Sequence, residues 1–246
     1  MTMLSFISAY YDNPGMLSLQ FDEMTRWSAK AKAQIEVIII DDGSPNSPAV
    51  DVPRPSGLPD LRIYRVLEDK PWRQNCCRNI GAHEAVGPWL ILTDIDHMLT
   101  APNANALVRR LIRLDPETAY MLHRIEADTG EPTRASDGAL KPHPNSFVMT
   151  REMFWRLGGY DEWFTGIYGT DSMWRARLYE IAQQGFLKRI ALTRYWRDLV
   201  PDASTTTLPR KEGRRPGEKE AIALAKKAAG KEGEILSLSA EYERVL

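Results

Sequence analysis

Two acidic residues, separated by a single residue, follow the most apolar strand candidate of the chain. Residues 89–92 form a near-continuous hydrophobic run, and Asp94 and Asp96 come shortly after it. Such a run favours a strand covered on both faces, and open α/β sheets bind ligands where their strands end. Because neighbouring carboxylates repel one another unless a cation lies between them, the pair predicts a divalent metal on a diphosphate. An ordinary solvated loop is the alternative that these two residues leave open.

A second acidic pair ends another buried strand candidate. Asp41 and Asp42 follow the mostly apolar residues 35–40, which predicts the same edge of the sheet as the first pair. Carboxylates are natural acceptors for the N–H of uracil and for ribose hydroxyls, so the pair favours a nucleoside site. The Asp-Gly and Ser-Pro steps in this segment also suit a plain β-turn, and that alternative stays open.

A further acidic residue, Asp171, falls at the start of a predicted helix. The helix dipole favours its ionised form there, which fits a general base that removes a proton from a hydroxyl nucleophile. An acidic residue in a first helical turn is also routine stabilisation, worth about 0.3–1 kcal/mol. Gly158 and Gly159 lie upstream and predict a tight turn or a close approach to a ligand.

The elements that must position these residues alternate between strand and helix over the first hundred residues. This order predicts an α/β fold, a Rossmann-like and mostly parallel sheet with helices on both sides. The predicted strands are 3–9, 35–40, 61–67, 89–92, 118–125, 146–150 and 187–195, with 235–245 a final strand or a docking tail. The predicted helices are 14–32, 71–86, 102–114, 151–157, 170–184 and 217–229, and 45–59 and 126–144 are predicted loops.

Length and composition indicate one α/β domain with a tail. The 246 residues divide into a predicted domain over 1–200 and an extension over 201–246 that holds a basic linker, a helix and a tail. A solvated segment is favoured for this linker over peripheral contact with a membrane or nucleic acid. Its basic residues are Arg210, Lys211, Arg214 and Arg215. The net charge of −1 argues against a role in coating nucleic acid.

Cysteine usage and hydropathy predict a soluble cytoplasmic protein. Cys76 and Cys77 are neighbours, and adjacent cysteines rarely bridge each other, so we expect reduced thiols that pack within a helix. No basic leader precedes Arg26, which predicts no secretory signal. The apolar runs are too short for a transmembrane segment.

Five short motifs, in this order, resemble the family 2 glycosyltransferases of the GT-A fold. The last of them is also similar to the galactosyltransferase group, and the resemblance covers about residues 3–195. The motifs are Ser5-Phe6-Ile7-Ser8-Ala9-Tyr10, Asp41-Asp42-Gly43-Ser44, Arg78-Asn79-Ile80-Gly81 with Ala85 and Gly87, Asp94-Ile95-Asp96-His97, and Gly158-Gly159-Tyr160-Asp161-Glu162 continuing to Asp171. Each motif is weak alone, and their order carries the resemblance.

The resemblance implies an inverting hexosyltransferase with a nucleotide-sugar donor, a UDP-sugar being favoured, and Mn²⁺ or Mg²⁺ as cofactor. The donor-binding residues that it implies are Ala9, Tyr10, Asp41, Asp42, Arg78, Asp94 and Asp96. It assigns Asp96 to the metal directly, Asp94 to ribose and metal, and Asp171 to the role of inverting base. His97 is a candidate further metal ligand, and Gly159 and Trp163 are the acceptor candidates.

Two features depart from the family pattern. Many relatives supply a later histidine to the metal, but this sequence has none after His143, and Thr170 stands where an acidic residue usually precedes the base. A nucleotidyltransferase is the enzymatic alternative, although residues 10–14 do not form the glycine-rich phosphate loop typical of that class. A nucleotide-sugar-binding or structural module without turnover is the other alternative. The sequence leaves the acceptor open among glycans, lipids, proteins and nucleic acids.

Overall fold

A computed structural model describes residues 1–167, 169, 171–205 and 217–246 of the chain. Within these ranges the strands are β1 Leu4–Tyr10, β2 Ile35–Asp41, β3 Asp60–Val66, β4 Trp89–Thr93, β5 His97–Met98, β6 Thr118–Glu126, β7 Pro142–Thr150, β8 Gln183–Arg194 and β9 Tyr242–Arg244. The helices are α1 Pro14–Thr25, α2 Ala29–Gln34, α3 Gln74–Glu84, α4 Ala101–Leu111, α5 Arg151–Arg156, α6 Asp171–Ile181 and α7 Glu218–Ala228.

All strands of the described residues belong to one sheet with the order β5-β8-β6-β7-β4-β1-β2-β3-β9. The pairings give β1, β2, β3, β4, β6 and β8 one common direction, and β5, β7 and β9 run against them. The predicted α/β fold with a mostly parallel sheet is confirmed. The carboxyl ends of six strands, together with the start of β7, therefore meet at one edge of the sheet.

The central strands bury both of their faces, as their continuous apolar runs predict. Phe6 of β1 and Ile91 of β4 pack with α1 and α4 in one core, whereas Ile7 and Leu92 point to a second core with α3 and α6. Gly81 lets α3 approach this second face closely, because a Cβ atom at that position would lie 2.3 Å from the side chain of Ile7. Helix α3 is thereby packed tightly against the central strands.

Several element boundaries differ from the sequence prediction. The helix predicted over 14–32 is two helices, because the Ser28 hydroxyl accepts the Ala31 N–H and so caps a new helix, α2. Strand β7 starts at Pro142, inside the predicted loop 126–144, and the two-residue strand β5 has no counterpart in the prediction. The segment predicted as a final strand or a docking tail contains β9, which pairs antiparallel with β3.

Residues beyond 200 pack against the predicted domain. The Asp202 carboxylate accepts the N–H groups of Gly15 and Met16 at the start of α1, at 2.6 and 2.9 Å. Lys226 of α7 forms a buried ion pair with Asp161. The domain division at residue 200 stays a prediction.

Some predicted features lie outside the described residues. These are Thr170 and the basic linker residues Arg210, Lys211, Arg214 and Arg215. Among the helices that the structure does describe, none combines the length and apolar character that a membrane crossing requires. Cys76 and Cys77 are buried free thiols on α3.

Candidate active site

A cavity of about 930 Å³ opens at the sheet edge where the six parallel strands end. Most of the sequence-predicted site residues line it. They are Ala9, Tyr10, Asp42, Asp94, Asp96, His97 and Asp171. The others, Asp41, Arg78, Gly159 and Trp163, do not belong to its lining. One cavity thus gathers side chains from β1, from the segments that follow β2 and β4, and from α6, which are far apart in the sequence.

One end of the cavity holds a buried carboxyl group with an unused acceptor. Asp42 is only 7% exposed; its Oδ2 atom accepts the backbone N–H of Arg73 at 3.2 Å, while its buried Oδ1 atom has no partner in the described residues. Burial raises the pKa of Asp42 to about 8. An unpaired buried acceptor costs about 1–3 kcal/mol, which a ligand N–H or hydroxyl placed here would recover.

The neighbouring Asp41 serves the turn rather than the cavity. Its carboxylate accepts the backbone N–H groups of Ser44 and Ala49, both at 2.8 Å. Successive residues of a strand point to opposite faces, so only Asp42 of this pair turns towards the cavity. The predicted donor contact of Asp41 stays a prediction.

The middle of the cavity is built on Asp94, directly after β4. Its Oδ1 atom accepts hydrogen bonds from Arg78 Nη2 and Gln74 Nε2, both at 2.5 Å. Burial alone would raise the pKa of Asp94, but the fully buried guanidinium of Arg78 outweighs it and the pKa is lowered. Arg78 also donates to the hydroxyl of Tyr160 at 2.7 Å. It therefore fixes the position of the Asp94 carboxylate without lining the cavity itself. Its predicted contact with a phosphate stays a prediction.

Two histidines complete a group that fits a metal ion. Asp94, His97 and His143 each offer one ligand atom, and these atoms all lie within 4.8 Å of one another. The two imidazole rings stack with 4.2 Å between their centroids. His143 is not among the predicted ligands; it lies at the start of β7, which runs back from the same edge of the sheet.

The second nitrogen of each imidazole is held by a protein group. His97 Nδ1 lies 2.7 Å from Asp96 Oδ1, and His143 Nδ1 lies 2.7 Å from the hydroxyl of Ser146. This leaves both Nε2 atoms for an ion, and that of His97 is buried without a partner in the described residues. Burial lowers the pKa of His143 well below its ordinary value, which keeps the imidazole in the neutral, metal-binding form. Direct metal ligation by Asp96 stays a prediction, and in the structure its carboxylate orients His97.

The predicted base lines the same cavity as the metal-ligand group. Asp171 is the first residue of α6, and its carboxylate forms an ion pair with Arg175, one turn along the same helix. Arg175 also donates to Asn145 Oδ1 at 2.9 Å and lines the cavity itself. The arrangement holds Asp171 at the cavity in a fixed orientation.

The two acceptor candidates lie in a segment that is pinned to the fold. The backbone of Tyr160, next to Gly159, bonds to both side-chain groups of Asn79, which fixes the glycine turn. Trp163 stacks under the ammonium of Lys231 instead of facing the cavity. The acceptor roles of Gly159 and Trp163 stay predictions, and the half-exposed Trp196, which the sequence does not single out, does line the cavity.

Comparison with known proteins identifies the class of fold but no close relative. No protein-family profile and no curated protein sequence matches the chain. Solved structures of glycosyltransferases do match it, at low sequence identity. They confirm the predicted GT-A type of fold.

Three of these structures show the extent of the similarity in fold. TarS of S. aureus, residues 1–349, has a TM-score of 0.64 at 11% identity, and the match covers 86% of this chain and 68% of that one. The complex of the same TarS segment with UDP-GlcNAc has a TM-score of 0.61 at 13% identity, over 83% and 62%. The mannosyltransferase PcManGT of Pyrobaculum calidifontis, in complex with GDP-Man and Mn²⁺, has a TM-score of 0.54 at 15% identity, over 78% and 56%.

Proposed function

We propose that this protein transfers a sugar from a nucleotide-sugar donor to an acceptor hydroxyl, with a UDP-sugar as the favoured donor and Mn²⁺ or Mg²⁺ as cofactor. The observation that carries this proposal is the convergence of three groups in one cavity. These are the unused acceptor of Asp42, the metal-ligand group around Asp94, and Asp171. The UDP-GlcNAc and GDP-Man complexes of similar folds support it.

Asp42 gives a physical reason to expect uracil as the nucleobase of the donor. Uracil presents an N–H donor at N3, which the buried Oδ1 atom accepts, whereas cytosine presents an acceptor at the same place. An N–H donor at this atom also stabilises the ionised carboxylate, so uridine binding would release the proton that the buried carboxyl group holds below about pH 8. Cytosine N3 can pair only with the protonated form, so the ionised site favours uridine over cytidine nucleotides.

Asp94, His97 and His143 would hold the metal ion, and Asp96 keeps His97 in the required tautomer. When bound, the ion neutralises the charge that develops on the departing diphosphate. Imidazole and carboxylate together suit Mn²⁺ better than Mg²⁺, which prefers oxygen ligands. Manganese is accordingly the first ion to test.

Asp171 acts as the general base for the acceptor hydroxyl. Its carboxylate takes the proton while the hydroxyl oxygen attacks the anomeric carbon of the donor sugar, and the bond to the diphosphate breaks on the opposite side. This in-line displacement inverts the anomeric configuration. Arg175 orients the carboxylate before the acceptor arrives.

Titration calorimetry of UDP, GDP, dTDP and CMP, each with and without Mn²⁺, tests the donor half of the proposal. We expect Mn²⁺-dependent binding of UDP. CMP should bind more weakly by about tenfold or more above about pH 8, because it lacks the second phosphate and leaves the ionised Asp42 acceptor unpaired. His143→Ala should abolish the dependence on Mn²⁺, whereas His83→Ala, an exposed histidine on α3, is the matched control. Failure of all four nucleotides to bind would refute the proposal.

The substitution Asp171→Asn tests the proposed role of Asp171 as general base in sugar transfer. We expect unchanged UDP and Mn²⁺ binding and loss of sugar transfer and of donor hydrolysis, because only the proton acceptor is removed. NMR of the product would show inversion at the anomeric carbon. Full activity of Asp171→Asn would contradict the base assignment, and nucleotide binding with no turnover of any UDP-sugar would favour the binding-module alternative.

A further inference from the structure

The cavity continues past the metal-ligand group to the ends of β6 and β8, on the side away from Asp42. In the sheet, β2 lies two strands from β4 on one side, and β6 and β8 lie two and three strands from it on the other. The end of β8 lies beside the metal-ligand group, because Arg194 pairs with His97 in the β5–β8 ladder and the Tyr195 N–H donates to the Asp96 carbonyl at 2.9 Å. The proposed donor runs from Asp42 to the metal-ligand group, so the wall at the ends of β6 and β8, here called the far wall, is available to a second substrate.

The far wall places two guanidinium groups beside the carboxylate of Glu126. Arg194, at the end of β8, donates from Nε to Glu126 Oε2 at 2.8 Å, and Arg124 Nε lies 3.9 Å from Glu126 Oε1. Two guanidinium groups thus share one carboxylate. Burial and the charge of Arg194 lower the pKa of Arg124, and the carboxylates of Glu126, Asp96 and Asp94 oppose this shift.

The hydrogen-bonding groups of this pair are only partly used. Arg124 Nε donates to the hydroxyl of Thr133 at 3.1 Å, and its two terminal nitrogens make no hydrogen bond within the described ranges. Both arginines line the cavity. A guanidinium with free terminal N–H groups is a bidentate donor for a phosphate or a carboxylate.

An aromatic platform lies beside the two arginines. The Trp196 side chain lines the cavity and is 45% exposed, and its Nε1 donates to Glu126 Oε2 at 2.9 Å. The Arg194 guanidinium covers the ring at 3.4 Å from its centroid. The indole is therefore held in one orientation while much of its surface stays open, an arrangement that suits stacking against the apolar face of a sugar or polyol.

We propose that Arg124, Arg194 and Trp196 form the acceptor subsite and that the acceptor carries an anionic group, a phosphate or a carboxylate, next to its sugar or polyol. This inference rests on the proposed function, because the donor position defines which wall is left for the acceptor. The indole stacks on the neutral part of the acceptor, and the arginines bind the anion. The acceptor hydroxyl is then directed towards Asp171 in the same cavity.

The test measures probe binding to the full chain saturated with UDP and Mn²⁺, by titration calorimetry and saturation-transfer NMR. The probes are glucose 6-phosphate, glucuronate and neutral glucose. We expect at least one anionic probe to bind about tenfold or more tighter than glucose, as for a charge-assisted hydrogen bond, and to weaken as salt rises. Comparison of the two anionic probes distinguishes a phosphate from a carboxylate acceptor.

Substitutions test whether the probes bind at the far wall. Arg124→Gln should remove the preference for the anionic probe, and Trp196→Ala should weaken all three probes, while UDP and Mn²⁺ binding stays unchanged in both. Arg110→Gln, an exposed arginine on α4, is the matched control and should behave as wild type. Equal binding of glucose and both anionic probes, or displacement of UDP by glucose 6-phosphate, would overturn the inference. Absence of UDP binding in the same titrations would instead overturn the proposed function.

Discussion

Replacement of Asp42 by asparagine should change the pH dependence of folding by one proton. The buried carboxyl group has a raised pKa, about 8 in place of 3.8. Between these two values the folded protein holds a proton at this site that the unfolded chain has released. The stabilising contribution of the site is therefore complete below about pH 4 and is lost as the pH rises towards 8.

The size of the effect follows from proton linkage. With one extra proton bound by the folded state, the free energy of unfolding falls by about 1.4 kcal/mol for each pH unit. The asparagine side chain of the variant has no proton to lose, so the difference in unfolding free energy between wild type and Asp42→Asn should fall by about 3 kcal/mol from pH 5 to pH 7. Other titrating groups, including Asp41, are common to both proteins and cancel in this difference.

Urea unfolding of both proteins at pH 5, 6 and 7, without nucleotide, measures this difference directly. The unfolding slopes should agree between the two proteins, which checks that the comparison is between the same states. A constant difference across the three pH values would refute the reasoning, because it would mean that Asp42 is ionised in the folded state. Above about pH 8, where the carboxyl group is ionised, Asp42→Asn should also weaken UDP binding, since an amide offers one acceptor oxygen where an ionised carboxylate offers two.

Three further substitutions test contacts that hold the site in place, each by urea unfolding. Glu36→Ala should cost about 3–5 kcal/mol, because a fully buried carboxylate is removed from its arginine partner and from two backbone N–H groups. Lys226→Met should cost a similar amount by leaving Asp161 without its buried cation, and an unchanged midpoint would show that this pair contributes nothing. Gly159→Ala should cost more than Gly130→Ala: both glycines have positive φ, which costs about 1–2 kcal/mol with a side chain, but only at Gly159 would the new Cβ collide with neighbours.

The sheet edge could be predicted from the sequence because its signals are local. The apolar runs before Asp42 and Asp94 are long enough to identify buried strands, and parallel packing then places both strand ends together. The choice between Asp41 and Asp42 could not be made in the same way. It depends on which face of the chain turns towards the cavity after the strand ends, and the twist and turn geometry that decide this involve the distant Arg73 backbone.

The place of His143 in the metal-ligand group could not be predicted from the spacing of residues in the sequence. It lies in a segment rich in Pro, Gly and Asp, and this composition predicts a loop. Its place beside His97 depends on β7 running antiparallel to β4 and on β5 pairing with β8, and neither pairing is encoded by a local pattern. The position of His97 directly after Asp96 is a local signal, whereas the role of His143 becomes apparent only once the strand order is known.

The same strand order explains why the cavity has two different walls. Insertion of the antiparallel β7 between β4 and β6 places the metal-ligand group at the centre and separates the nucleoside end from the far wall by several strands. Trp196 and Arg194 reach this wall because β8 runs parallel to β6 and ends at the same edge. The segment after β8 then returns to the nucleoside end, where Asp202 caps α1. Trp196 at one end of this segment and Ser204 and Thr205 at the other therefore line the same cavity.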